Sequence, residues 1–178
     1  MRRSVATLVV ASAVALLATA CVPGTNPTPS PTPTVQPTPL FATEEEALAA
    51  ARDAYSRYLE VAAEVVNEGG RQPENLEEVL TGTQLELETQ AANDLASAGA
   101  YIEGSARLVS MDVQSFDNTT VQTYACVDYS ELVLHRANGS VESLAVGDPV
   151  VPLELGFRVV AETLLLASQS NWDGASFC

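Results

Sequence analysis

Up to Gly99 the apolar residues of this chain recur three and four apart, and beyond it they recur two apart. That change of period divides the fold, because residues three and four apart line one side of a helix while alternate residues line one face of a strand. Thr43-Glu44-Glu45-Glu46 is a capping-box pattern, with a side-chain acceptor at the N-cap and early carboxylates against the positive end of the helix dipole. Leu48, Ala51, Tyr55, Tyr58, Ala62 and Val65 then set one apolar stripe on a helix to about Asn67, ended by Gly69-Gly70. Pro73 opens a shorter helix carrying Leu76, Val79 and Leu80, which Gly82 closes. A third helix, from about Thr83 to Ser97, places Leu87, Ala91, Leu95 and Ala98 on one side and stops at Gly99.

Beyond Gly99 the signals are those of antiparallel strands. From Leu108 to Phe116, Val109, Met111 and Val113 alternate with Ser110, Asp112 and Gln114, and Asp117-Asn118 marks a turn. Val121, Thr123, Ala125, Val127 and Tyr129 form the next face, with Tyr124, Cys126 and Asp128 on the other. Leu132 and Leu134 lead to Asn138-Gly139, a strong hairpin signal, and Val141 to Val146 returns. Val150 to Ser168 supplies one long strand or a pair broken near Ala161-Glu162. Three helices followed by a run of antiparallel strands predict an α+β domain over residues 42–178, with helices covering one face of a curved sheet.

Residues before Thr43 have another character. Arg2 and Arg3 precede an apolar run from Val5 to Ala20 that is short for a membrane span and has the layout of a cleavable export signal, residues 1–20. Leu17-Ala18-Thr19-Ala20-Cys21 resembles a lipobox, which implies that the Cys21 thiol takes a diacylglyceryl group and becomes the new N-terminus. Residues 21–41 are then the lipidated Cys and a Pro/Thr-rich spacer, alternating as in Pro27-Thr28-Pro29-Ser30-Pro31-Thr32-Pro33-Thr34, which biases the backbone toward an extended, semi-rigid conformation. At about 3.1 Å per residue it would hold the domain roughly 50 Å from the bilayer. The expected location is the extracytoplasmic face of the cell membrane.

Loss of Arg2 and Arg3 takes the formal charge of the 178-residue chain from −15 to −17. So acidic a surface argues against nucleic acid and against docking on anionic lipid head groups, which leaves the lipid on Cys21 to do the anchoring. The carboxylates show no calcium-loop spacing, and there is no Gly-x-Ser-x-Gly, Gly-rich phosphate loop or His-Glu-x-x-His, so no cofactor or metal is expected. With Cys21 lipidated, Cys126 and Cys178 remain as a pair in a compartment where disulfides persist. Their bridge would close a loop of roughly 50 residues, worth about 4 kcal/mol by chain entropy. The competing readings are two free thiols or a metal site, for which His135, expected to face solvent, has no partner at ligand spacing.

The order of elements, with the ending Trp172-Asp173-Gly174 shortly before Cys178, resembles small actinobacterial lipoproteins with a nuclear transport factor 2-like, cone-shaped domain. Enzymes of that superfamily place Tyr and Asp in an apolar cavity, and the residues on matching elements are Tyr55, Tyr58, Tyr124 and Asp128, with Trp172 as a packing plug or cavity lid. None lies in a catalytic motif. The sequence therefore reads as a lipid-anchored, non-catalytic binding or adaptor domain for an envelope protein or a small apolar ligand. The alternative is a cavity enzyme, an isomerase or hydrolase of a small apolar substrate. A Cys21→Ala chain is expected to lose acyl labelling; labelling that survives the substitution would overturn lipid anchoring through Cys21.

Overall fold

The computed structural model describes residues 40–145 and 147–178; Cys21, the signal, the spacer up to residue 39 and Val146 lie outside the described residues. Helix α1 spans Glu44–Asn67 and begins as its capping box predicts, with the Thr43 hydroxyl accepting from the Glu46 N–H at 3.2 Å. The Glu46 carboxylate reaches one residue further back than in the standard box and accepts from the Ala42 N–H at 2.8 Å, which brings Phe41 into the core. A short 3-10 helix, Pro73–Glu78, follows and buries Leu76, and Val79 and Leu80 are buried just beyond it. Gly70 has φ +75°, and a Cβ there would lie 1.9 Å from the Ala92 carbonyl oxygen, so only glycine lets the end of α1 pass the next helix this closely. That helix, α2, spans Gly82–Ser97.

The strands are β1 (Tyr101–Glu103), β2 (Arg107–Phe116), β3 (Thr120–Asp128), β4 (Val133–His135), β5 (Val141–Ser143), β6 (Val150–Val160) and β7 (Thr163–Asn171). All pair antiparallel, but in two sheets rather than one: a four-stranded sheet in the order β2-β3-β6-β7 and a small one in the order β1-β4-β5. The helices pack on the four-stranded sheet, α1 against β2 and β7 and α2 against β7. Arg52 on α1 donates to the Met111 carbonyl at 2.9 Å. The final segment is a pair of strands joined at Ala161 and Glu162, both with positive φ, the backbone of a tight hairpin turn.

Two expected faces differ from the sequence pattern. The alternation places Val109 on one face with Met111 and Val113, yet it is 52% exposed while Met111 is fully buried. A register shift between Leu108 and Ser110 leaves Val109 without a partner on β3, and this bulge turns its side chain outward. On α2, Leu87 is 61% exposed and Ala91 and Ala98 are exposed; the helix instead buries Gln84 and Ala92, with Leu85, Glu88 and Leu95 half-buried. The pattern of apolar residues misplaced that face because its packing uses polar side chains.

On the outer face of the four-stranded sheet, Cys126 of β3 and Cys178 lie at disulfide distance, Cα to Cα 5.7 Å, and are bonded. The bridge holds the C-terminal tail over that face, where Trp172, Phe177 and Tyr124 form an edge-to-face cluster with centroids 5.2 to 6.2 Å apart. The Trp172 ring lies where a Cβ on Gly174 would be, 2.5 Å away, and its indole N–H donates to the Ala175 carbonyl at 3.0 Å, which accounts for the Trp-x-Gly spacing.

One polar atom in the inner layer stands alone: the Thr123 hydroxyl is buried without a hydrogen-bond partner. Valine has the same shape and no such donor. Thr123→Val is therefore expected to raise the free energy of unfolding by about 1 kcal/mol, as measured by denaturant titration.

Candidate functional site

Inside the angle between α1 and α2 the core is not apolar. Tyr55 and Tyr58 point inward from consecutive turns of α1, their rings 5.4 Å apart, and Tyr55 meets Phe157 edge-on. The Tyr58 hydroxyl donates to Glu88 Oε1 at 3.1 Å, and the Gln84 side-chain amide donates to the same oxygen at 3.0 Å. Gln84 Oε1 in turn accepts from the Gln169 backbone N–H at 3.0 Å, and Gln169 Oε1 accepts from the Tyr55 hydroxyl at 3.0 Å. Tyr129, the residue following β3, lies beside this knot and lines the same cavity as Tyr58 and Gln169. The knot thus joins α1, α2 and β7.

Gln169 takes its place through a bulge on β7. Gly156 pairs with Ser168 and Phe157 with Leu166, so Ala167 is the extra residue, and the face of β7 changes beyond it. Leu164 and Leu166 lie in the core, and Gln169 also points inward, against Tyr55.

Beside the knot lie two adjoining cavities of about 210 and 170 Å³. Ala62, Val66, Glu88 and Ile102 line both. The larger is further lined by Tyr58, Tyr129, Gln169 and the loop at Gly104, the smaller by Leu76, Ala92 and Leu95. Their walls are aliphatic and their polar groups converge at one end, which is the make-up of a ligand pocket. A wider groove of about 620 Å³ near Phe41 is walled largely by exposed side chains, among them Asp53, Arg57, Glu60 and Glu162, and lacks such convergence.

Burial pushes the Tyr55 and Tyr58 hydroxyls well above the usual tyrosine range, with neighbouring tyrosines and Glu88 adding to it, and burial raises Tyr129 as well. All three therefore keep their protons at neutral pH and do not act as bases.

Of the residues singled out in the sequence, Tyr55 and Tyr58 belong to this site and the others do not. Tyr124 packs with Trp172 and Phe177 on the outer face and bonds to Gln114. Asp128 pairs with Arg107 at 2.7 Å and accepts from the Ser130 N–H, and these hydrogen bonds hold its carboxyl below the usual range. Trp172 covers the outer face of the sheet, not the cavity mouth. The His135 imidazole, expected in solvent, is only 22% exposed: it stacks on Tyr101 at 4.4 Å and meets Glu103 at 2.8 Å. Sequence reasoning missed Gln84, Glu88, Tyr129 and Gln169 as a group. The signal on α2 was the spacing of four and eight that puts Gln84, Glu88 and Ala92 on one face. Among the described residues no three His, Cys, Asp or Glu side chains converge as a metal site would need, and no helix is long and apolar enough to cross a membrane.

No family model and no curated protein matches this sequence. Among solved structures, the fold is similar to the intermembrane space region of the chloroplast protein ARC6, with a TM-score of 0.53 and 16% identity over 71% of this chain and 97% of that one. Aln2 from a Streptomyces species overlaps with a TM-score of 0.43 and 17% identity over 68% of this chain and 85% of that one. A protein designated Rd1NTF2 overlaps at 0.37 and 16% identity over 68% of this chain and 99% of that one. The first likeness shows the fold alone, and the other two are too weak to carry an argument.

Because the folded tyrosines hold their protons more tightly than the unfolded ones, their contribution to stability is intact below about pH 10 and is lost as pH rises through the folded values. Denaturant titrations in steps above about pH 9 are expected to show this loss, with tyrosinate absorbance for Tyr55, Tyr58 and Tyr129 appearing only as the domain unfolds. Tyr58→Phe should make that decline shallower.

Proposed function

We propose that this chain is a small actinobacterial envelope lipoprotein, anchored through lipid on Cys21 at the extracytoplasmic face of the membrane, whose nuclear transport factor 2-like domain binds a small, largely apolar molecule without transforming it. The observation that carries the reading is the pair of aliphatic cavities with the Tyr58, Glu88, Gln84 and Gln169 knot at one end. Each is smaller than the roughly 300 Å³ at which ordinary ligand pockets begin. The molecule is correspondingly small. A site for an envelope protein would call for an exposed surface, and the convergent groups here face inward.

The enzyme reading is second, and one observation favours it: Glu88 lines both cavities, where a carboxylate is placed to move a proton. Against it, the hydroxyls around Glu88 keep their own protons, and Asp128 is on the far face of the sheet.

Ala62 lines both cavities and a larger side chain there would fill them. Binding of benzyl alcohol followed by saturation-transfer NMR should be seen with the unsubstituted chain and be lost in Ala62→Phe. Equal signals from the two proteins, or none from either, would defeat the proposal.

A further inference from the structure

We infer that the ligand is an amine: an apolar or aromatic group of about benzene size carrying one ammonium that pairs with Glu88. This rests on the reading of the cavities as a ligand site. Glu88 Oε1 is already engaged by Tyr58 and Gln84, whereas among the described residues no hydrogen bond reaches Oε2. Among the described residues, neither cavity has an arginine or histidine in its wall, and no ion pair includes Glu88. A carboxylate on a half-buried aliphatic wall has given up hydration without gaining a counter-ion. An ammonium supplies both the opposite charge and the missing donors.

The surroundings discriminate in the same direction. An anionic ligand would meet the Glu88 carboxylate with no cation among the described wall residues to offset it. The donor hydrogens of the Tyr55 and Tyr58 hydroxyls are spent within the knot, so neither competes with a ligand for Glu88 Oε2. Tyr58 and Tyr129 border the larger cavity, and an aromatic ring near an ammonium attracts it when the cation sits over the ring face. The formal charge of −15 favours the approach of cations over anions. An apolar cavity of about 150 Å³ takes benzene, so spaces of about 210 and 170 Å³ suit one ring or a short alkyl group with a single amine arm.

The test compares benzylamine, benzyl alcohol and benzoate by titration against the mature chain from residue 21 carrying Cys21→Ala, exported behind an ordinary cleavable secretory signal so that it needs no detergent. Benzylamine is expected to bind at least about tenfold more tightly than benzyl alcohol, and benzoate not to bind. Glu88→Gln should remove the preference for benzylamine and leave benzyl alcohol binding in place, which also reports that the variant is folded. Equal binding of benzylamine and benzyl alcohol, or a preference that survives Glu88→Gln, would overturn the amine while leaving the cavity as a ligand site. Failure of all three probes to bind would overturn both.

Discussion

The attachment of α2 is a matter of hydrogen bonds more than of apolar burial, and the interior of the domain follows from that. Its inward face offers Gln84, Glu88 and Ala92 where a conventional surface helix would offer leucines. Buried polar groups are tolerated only when their partners are met, and here the partners come from α1 and from β7 at defined positions. The knot sets where α2 lies. Opposite it, α1 presents Ala62 and Val66, whose side chains are too short to fill the space that the knot defines. A cavity is the result of a polar spacer between helices with small facing residues.

What was legible in the sequence was local. The Thr43 cap, the Asn138-Gly139 hairpin, the stripe of α1 and the break at Ala161-Glu162 depend on residues near one another in the chain, and each is found where the pattern puts it. The inner face of β3 is equally regular, since no bulge interrupts its pairing with β6. The failures come where a partner decides. Val109 faces outward because β3 lacks a residue to oppose it, and the packed face of α2 follows the hydrogen bonds of Tyr58 and Gln169 rather than its own leucines. The division into two sheets was likewise invisible, because β1, β4 and β5 are only three residues each.

The two faces of the four-stranded sheet do different work. Along β3, Val121, Thr123, Ala125 and Val127 build the layer beneath α1, while Tyr124 and Cys126 hold the tail against the opposite side. A crosslink worth about 4 kcal/mol is a large share of the 5 to 15 kcal/mol, roughly, by which a domain is stable. The interior can therefore carry a void, a lone hydroxyl on Thr123 and a half-buried carboxylate. Stability is gained on the side of the sheet that has no part in the site.

The extra residue at Ala167 has a consequence for how such a domain could change. Strand faces alternate, so the place where β7 absorbs an unpaired residue acts as a parity switch for everything beyond it. Were the same residues to run on in regular alternation, Ser168 would turn toward the core and Gln169 toward water, cutting the relay from Gln84 to Tyr55 while every wall residue on α1 kept its place. The floor of the cavity is addressed by counting along β7, and moving the bulge past Gln169 would exchange its chemistry more completely than any substitution in the wall.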